Sequence, residues 1–144
     1  MQACCPYLMF DGQADEAMHA YQRILGGELS LLRYAQQPAD AGPPPPGCEP
    51  SDKNRVMHAY LAFPGGAIMC SDTPNRNLFE APRGMSVSLN FPEAQKAREV
   101  YEQLAEGAQQ VRMPFGPTFW AEGFGMVVDR FGIPWMVGGA LRKP

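Results

Sequence analysis

The stretch MSVSLNFPEAQKAREVY, residues 85–101, decides the fold because its hydrophobic pattern changes at Pro92. Residues 85–91 have the pattern of a β-strand, and Pro92 is suited to the first turn of a helix. Beyond it, apolar residues recur every three or four positions, as in an amphipathic helix, and Gly107 ends the pattern. The apolar stripe consists of Ala94, Ala97, Val100, Tyr101 and Leu104. The sequence therefore predicts a strand followed by a helix.

The first half of the chain repeats this plan. An apolar strand at residues 5–10 precedes a helical stripe that ends at two glycines, and Ala17 and Tyr21 match Ala97 and Tyr101 at an offset of 80 residues. Three strand-like segments follow each helix. They are residues 29–36, 56–63 and 67–71 in the first half, and 110–113 (or 110–120), 125–129 and 134–137 in the second. Two tandem β-α-β-β-β modules are predicted, and hence an α+β fold.

Length and composition favour one globular domain, residues 1–144, with modules at about 3–72 and 85–140 and a linker at 73–84. The chain is 45% hydrophobic and 19% charged, as in a folded protein. A net charge of −3 argues against nucleic acid and anionic membranes as partners, because both attract basic surfaces. No apolar run approaches the length of a membrane span.

The first ten residues lack the charged and cleavage regions of a signal peptide, so we expect a cytoplasmic protein. Its four cysteines are then expected to be free thiols. Neighbours on a strand point to opposite faces, so the adjacent Cys4 and Cys5 suit neither a redox pair nor a metal site.

Two segments are interpreted structurally. Asp129 and Gly132 occupy the first and fourth positions of a predicted type I turn, so the Asp129 carboxylate is expected to accept backbone hydrogen bonds and not to act as a catalytic acid. Residues 38–52 contain a run of prolines that cannot join a sheet. We predict a mobile, exposed loop that is able to cover a ligand and is dispensable for folding.

The chain resembles the vicinal-oxygen-chelate superfamily of glyoxalases, bleomycin-resistance proteins and extradiol dioxygenases, and within it the PhnB-like, "3-demethylubiquinone methyltransferase-like" branch. The resemblance covers nearly the whole chain outside the proline-rich loop. It is carried by residues 6–12, 21–27, 57–59, 68–72, 118–120 and 124–135. It implies curved mixed sheets around a cleft and a homodimer.

The resemblance also implies where a metal would bind. Metal-dependent members carry a His or Glu on the first and fourth strands of each module. Matching the modules places Pro6, Cys70, Ser86 (or Met85) and Met136 at these positions. Proline, serine and methionine are poor ligands for a divalent ion, and one thiolate does not make a site. We therefore expect neither a metal nor another cofactor. No glycine-rich strand-to-helix turn is present to support a nucleotide-like cofactor of a methyltransferase.

The same mapping predicts a mainly apolar ligand pocket with a few polar groups. Phe119 and Trp120 are expected either to stack against a flat or cationic ligand or to pack in the core. Cys70 is predicted to pack in the core. The alternative is a reactive thiol with His58 as its base, provided that both face the same side of the sheet. The candidate pocket residues are Leu8, His58, Cys70, Ser86, Phe119, Trp120 and Met136.

Two functions follow as hypotheses. The first is a metal-free protein that binds a small apolar or aromatic molecule. The alternative is a lyase, transferase or dioxygenase-type enzyme of the same superfamily, either metal-dependent or using Cys70 and His58.

Overall fold

A computed structural model describes residue 1 and residues 3–143, and the chain divides into two compact units, Met1–Ala81 and Pro82–Pro144. Each unit contains one β-α-β-β-β module. The fold is therefore α+β with two repeated modules, as the sequence predicts. Neither of the helices in the described residues is long and apolar enough to span a membrane.

The first module forms a four-stranded mixed sheet with the strand order β1-β4-β3-β2. Strand β1 runs parallel to β4, and the other neighbours are antiparallel. Helix α1 packs on one face through Ala17, Met18 and Tyr21, which are almost completely buried. The elements are β1 (Tyr7–Phe10), α1 (Ala14–Leu25), β2 (Glu28–Arg33), β3 (Val56–Phe63) and β4 (Gly66–Asp72).

The second module has the same topology, with the strand order β5-β8-β7-β6. Helix α2 covers one face of this sheet, and Gly139 of β8 lies so close to the helix that an added Cβ would be 2.7 Å from the Ala94 Cα. The elements are β5 (Val87–Phe91), α2 (Ala94–Ala105), β6 (Gln110–Gly116), β7 (Ala121–Val128) and β8 (Pro134–Leu141).

The predicted elements are all present, and the differences lie at their ends. The predicted strand at 29–36 ends at Arg33, and a 3₁₀ helix, Tyr34–Gln36, follows it. Strand β6 ends at Gly116 rather than at 113 or 120. Strand β7 begins four residues before the predicted 125, because glycines there allow close packing against Phe115 and Tyr101.

Asp129 confirms the interpretation as a turn residue. Its Oδ1 accepts hydrogen bonds from the backbone N–H groups of Phe131 at 2.9 Å and Ile133 at 3.0 Å, and its Oδ2 accepts one from the Trp135 indole at 2.8 Å. The Gly132 N–H donates to the Asp129 carbonyl, as a type I turn requires. The carboxylate is 2% exposed and fixes the hairpin between β7 and β8.

Asp72 has a similar structural role that the sequence did not reveal. It is 1% exposed, and its carboxylate accepts hydrogen bonds from the backbone N–H groups of Gly12, Ala14 and Val56 at 2.8, 3.0 and 2.8 Å. Gln13, at the N-cap of α1, makes no side-chain cap hydrogen bond, so Asp72 supplies an acceptor at this helix end from β4.

The proline-rich loop is largely exposed, as predicted, but its second half is attached to the rest of the first unit. The Asn75 side-chain amide donates to the carbonyls of Gly47 at 2.9 Å and Glu49 at 3.2 Å, and the Ser51 N–H donates to the Pro74 carbonyl at 2.9 Å. That the loop is mobile and able to cover a ligand stays a prediction. That the loop is dispensable for folding stays a prediction.

Candidate functional site

The first sheet has a helix-covered face and an open face, and side chains alternate between them along each strand. In β1 the burial pattern alternates, with Tyr7 and Met9 exposed and Leu8 and Phe10 buried. The strand register extends the open face across β4 and β3. This open face carries Tyr7, Met9, His58, Tyr60, Met69 and Ser71.

Three polar side chains on the open face are joined by hydrogen bonds. The Tyr7 hydroxyl is 3.0 Å from His58 Nδ1 and 2.5 Å from Ser71 Oγ. The rings of Tyr7 and His58 also stack, with centroids 5.8 Å apart. Strand pairing produces this cluster, because Ala59 opposite Cys70 brings the next residues, His58 and Ser71, side by side on the other face. Residues from three strands thus meet at one point.

The cluster forms a continuous path for a proton. The Tyr7 phenol has one proton, so one of its two hydrogen bonds must use a proton from the partner. The path runs from Ser71 through Tyr7 to His58, or in the opposite direction. No described residue bonds to His58 Nε2, so this nitrogen is available to a ligand.

Apolar side chains flank the cluster. Met9 is 38% exposed and Tyr60 is 40% exposed, and Met69 pairs with both Tyr7 and Tyr60 in the strand register. An apolar surface around a few hydrogen-bonding groups is the usual composition of a small-molecule site.

The structure does not place Leu8 and Cys70 on the open face. Both are buried on the helix-covered face, where Leu8 pairs with Cys70 in the register. His58 lies on the open face, so the alternative of a Cys70 thiol activated by His58 is wrong. The physical reason is the period of two along a strand, which puts His58 and Ala59, the partner of Cys70, on opposite faces.

Cys70 is also chemically inert as it lies in the fold. Burial, followed by the negative charge of Asp72, raises the pKa of the Cys70 thiol to about 12 from its usual 9.0. Since the folded state favours the protonated thiol, its contribution to stability is complete below pH 9 and is lost as the pH rises toward 12.

We expect iodoacetamide at pH 8 to modify the exposed Cys4 and to leave Cys70 unmodified in the native protein, because only a thiolate reacts. Peptide mass spectrometry measures both rates in one sample. In urea, Cys70 should react as fast as Cys4. Comparable rates at Cys4 and Cys70 in the native protein would contradict the buried placement.

The open face of the second sheet carries a related set of side chains. Ser88 pairs with Met136, and Asn90 pairs with Gly138, beside Phe124 of β7. The Asn90 amide donates to Ser88 Oγ at 3.4 Å. Met136 is therefore on an open face, as the pocket prediction requires, and its neighbours there are polar as well as apolar.

Phe119 and Trp120 lie at the turn between β6 and β7. Phe119 is 85% exposed, and its ring meets Trp120 edge-on at 4.9 Å; Trp120 in turn meets Phe124 edge-on at 5.3 Å. The row of three rings extends from solvent to the sheet. Phe119 does not pack in the core, so it presents an aromatic surface.

Ser86 and Pro6 lie outside the strands, immediately before β5 and β1. Their assignment rested on the offset of 80 that relates the helices. Three residues separate β1 from α1 but only two separate β5 from α2, so the strands are related by an offset of 81. Leu8 therefore corresponds to Leu89, and Tyr7 to Ser88. The offset of 80 therefore matched Pro6, which alternates in step with the buried Leu8, to Ser86, which alternates in step with the open-face Ser88.

The open-face side chains of these strands lack the donors that a divalent metal ion needs. On the first and fourth strands the open faces present phenol, hydroxyl, amide and thioether groups, with no carboxylate or imidazole; these residues are Tyr7, Met9, Met69, Ser71, Ser88, Asn90, Met136 and Gly138. Such donors do not fit a divalent first-row ion. Among residues 1 and 3–143, no group of three or more His, Cys, Asp or Glu side chains could hold one.

Tyr7 and Ser71 belong to the hydrogen-bonded set on the open face but were not among the site residues predicted from the sequence. Alternating residues of 7–10 and of 68–72 face the same side of the sheet, and this pattern indicates Tyr7 and Ser71 once the register of β1 against β4 is known.

Known proteins resemble this chain along nearly its full length. Residues 2–138 match the profile of the family described as 3-demethylubiquinone-9 3-methyltransferase. Protein YjdN of Escherichia coli (strain K12) is 32% identical, with 96% of each chain covered.

Among solved structures, protein PA1353 from Pseudomonas aeruginosa is 40% identical, with a TM-score of 0.81 over 96% of this chain and 98% of that one. A putative 3-demethylubiquinone-9 3-methyltransferase, PhnB protein, from Bacillus cereus is 26% identical, with a TM-score of 0.74 over 96% and 100%. A glyoxylase/bleomycin resistance protein/dioxygenase domain from Frankia sp. EAN1pec shares the fold, with 16% identity and a TM-score of 0.60 over 99% and 94%.

Proposed function

Because the chain belongs to the family described as 3-demethylubiquinone-9 3-methyltransferase, the PhnB-like branch of the glyoxalase/bleomycin-resistance/dioxygenase superfamily, we propose that it binds a small molecule. The ligand is apolar or aromatic and carries at least one hydrogen-bonding group. We place it on the open face of β1, β4 and β3. The hydrogen-bonded set of Tyr7, His58 and Ser71 carries this proposal.

The surroundings of this set support a ligand of that class. Met9 and Tyr60 expose apolar surface on the same face, which a flat or aliphatic group would cover. Tyr7 is itself 44% exposed, although its hydroxyl is held by two partners. A hydroxyl fixed in this way loses little conformational freedom when it binds a ligand.

We infer that the family description does not extend to a methyltransferase activity in this chain. Two pairs of adjacent glycines could be mistaken for a cofactor loop. Gly26 and Gly27 follow the end of α1, whereas Gly65 lies in the turn between β3 and β4 and Gly66 begins β4. Neither pair connects a strand to a following helix, which a nucleotide-like cofactor needs.

A thermal-shift screen of small aromatic and alicyclic metabolites tests the proposal. A ligand at 100 times its Kd stabilises the folded state by about 2.7 kcal/mol, which raises the melting temperature by several degrees. Tyr7→Phe removes the hydroxyl but keeps the ring, so we expect it to weaken each hit about tenfold.

Tyr60→Phe is the matched control, because it removes a hydroxyl from the same face outside the hydrogen-bonded set. It should leave the affinity of each hit unchanged. Equal affinities of the wild type, Tyr7→Phe and Tyr60→Phe would refute the site on this face.

The second candidate is an enzyme of the same superfamily that acts on a small substrate by general acid–base catalysis. It is favoured by one observation, the path of hydrogen bonds through Ser71, Tyr7 and His58. A hit that is consumed during incubation with the wild type, and not with His58→Gln, would support the enzyme over the binding protein.

We also propose a homodimer, in keeping with the second copy that the resemblance implies. Its support is the exposure of three large apolar side chains in the second unit: Met85 is 67% exposed, and Val111 and Leu141 are each 52% exposed. The organisation as a single domain and the cytoplasmic location stay predictions. All four cysteines are free thiols in the structure, which is consistent with a reducing compartment.

Sedimentation equilibrium at micromolar concentration should give about twice the chain mass of 15.8 kDa. We expect Val111→Glu to shift the distribution toward the single chain, because a buried unpaired charge opposes association. A wild-type sample that contains only the 15.8 kDa species would contradict the dimer.

A further inference from the structure

A cavity of about 340 Å³ lies in the first unit, between the 3₁₀ helix Tyr34–Gln36 and the proline-rich loop, residues 38–52. This volume is in the range of small-molecule sites. The cavity shares no residue with the open-face set, so an inference about it is independent of the proposed function. The residues that matter for its chemistry are Tyr34, Gln37, Pro44, Cys48, Pro50 and Lys53.

One side of the cavity is fixed by hydrogen bonds to the sheet. The Tyr34 hydroxyl donates to the Asp72 carbonyl at 3.1 Å, at the end of β4. The next residue, Ala35, donates its backbone N–H to the Lys53 carbonyl at 2.8 Å, and the Tyr34 N–H donates to the Arg55 carbonyl at 3.1 Å. The Tyr34 ring is therefore held in place before any ligand arrives.

The loop side is fixed as well. The Asn75 side-chain amide donates to the carbonyls of Gly47 and Glu49, on either side of Cys48. The Ser51 N–H donates to the Pro74 carbonyl, next to Pro50. Proline rings add rigidity because their φ angle is locked. Both walls are thus preorganised, which lowers the entropy that binding must overcome.

The composition of the walls selects the ligand. The Tyr34, Pro44 and Pro50 rings offer flat apolar surfaces that suit an aromatic ring. Lys53 is the one charged residue among the described residues that line the cavity. Lys53 forms no ion pair with a described acidic side chain, so its ammonium is available to an anion. We propose that this cavity binds a small aromatic carboxylate.

Cys48 provides a built-in reporter for the test, because it lines the cavity and is partly exposed. Benzoate is the probe, and the rate of iodoacetamide modification at Cys48 is followed by peptide mass spectrometry in the full-length protein. We expect benzoate to slow the modification of Cys48 saturably and to leave that of the exposed Cys4 unchanged. Benzamide, a neutral molecule of the same shape, should protect about tenfold less well because it lacks the charge that Lys53 attracts.

Lys53→Gln should weaken protection by benzoate about tenfold, whereas Lys96→Gln, at another exposed lysine in α2, should not. Both substitutions are at the surface, so both variants are expected to fold. The absence of saturable protection at Cys48 by benzoate, up to its solubility, would overturn the proposal. Equal protection by benzoate in the wild type and in Lys53→Gln, or by benzamide and benzoate, would overturn it as well. These outcomes leave the open-face site of Tyr7 untouched, so the two proposals fail separately.

Discussion

Gly27→Ala is expected to destabilise the protein by about 4 kcal/mol or more, or to prevent folding, because the new methyl group would collide with backbone atoms. A Cβ at Gly27 would lie 1.9 Å from the Ala62 carbonyl oxygen and 2.8 Å from the Phe63 Cα. Both atoms belong to β3, and Glu28 pairs with Ala62. The chain can relieve the collision only by separating β2 from β3. Urea denaturation of both proteins measures the difference.

Gly26 provides the matched control. It has a positive φ of 77°, compared with 94° for Gly27, but nothing lies within 4 Å of an added Cβ. Gly26→Ala should therefore cost only the strain of a backbone conformation (φ 77°, ψ −168°) that glycine adopts readily and alanine does not, about 1–3 kcal/mol. Equal losses of stability in the two variants would show that the contact with β3 is not what requires glycine at position 27.

Asp72→Ala should lower the free energy of unfolding by about 3–5 kcal/mol. The substitution leaves the backbone N–H groups of Gly12, Ala14 and Val56 without the carboxylate that accepts their hydrogen bonds, and the bonds of Ala14 and Val56 are buried. Each unsatisfied buried donor is unfavourable, and one of the three lies at the start of α1.

Asp52→Ala is the comparison for Asp72. Asp52 also accepts a backbone hydrogen bond, from Asn54 at 2.8 Å, but it is exposed and water can replace it. We expect a loss below about 1 kcal/mol for this variant. A similarly small loss for Asp72→Ala would contradict the role of Asp72 as the anchor of the first module.

The repeated modules could be predicted from the sequence because two periodicities are strong in this chain. Helical spacing marks residues 14–25 and 94–105, and both helices are observed at these positions. The strand Val56–Phe63 was predicted with its observed bounds because the turn at residues 64–65 limits it. Local patterns of this kind depend on neighbours in sequence and need no knowledge of the tertiary structure.

The site could be predicted only in part, because the face on which a strand residue lies depends on register. His58, Met136 and the aromatic pair at 119–120 are on exposed or open surfaces, whereas Leu8 and Cys70 are buried under α1. A turn shorter by a single residue between β5 and α2 changed the offset between the modules, and one residue is enough to exchange the two faces. The role of Asp72 was hidden because its partners are distant in sequence.

The backbone and indole donors that bond to Asp129 lie nearer in sequence than the backbone donors that bond to Asp72, and we expect this difference to set an order of folding. The Asp129 carboxylate bonds to Phe131, Ile133 and Trp135, which lie two to six positions away, whereas Asp72 closes a loop of 60 residues to Gly12. Closing a short loop loses less chain entropy, so contacts of low sequence separation form earlier along the folding reaction. The turn at residues 129–135 should be structured in the transition state while the Asp72 contacts are still absent.

Stopped-flow kinetics can detect that order. Asp129→Asn should mainly slow folding, and Asp72→Asn should mainly accelerate unfolding. The reverse pattern would contradict it. In the expected order, the rate of folding depends on the hairpin of the second module, and the rate of unfolding depends on the long-range carboxylate of the first.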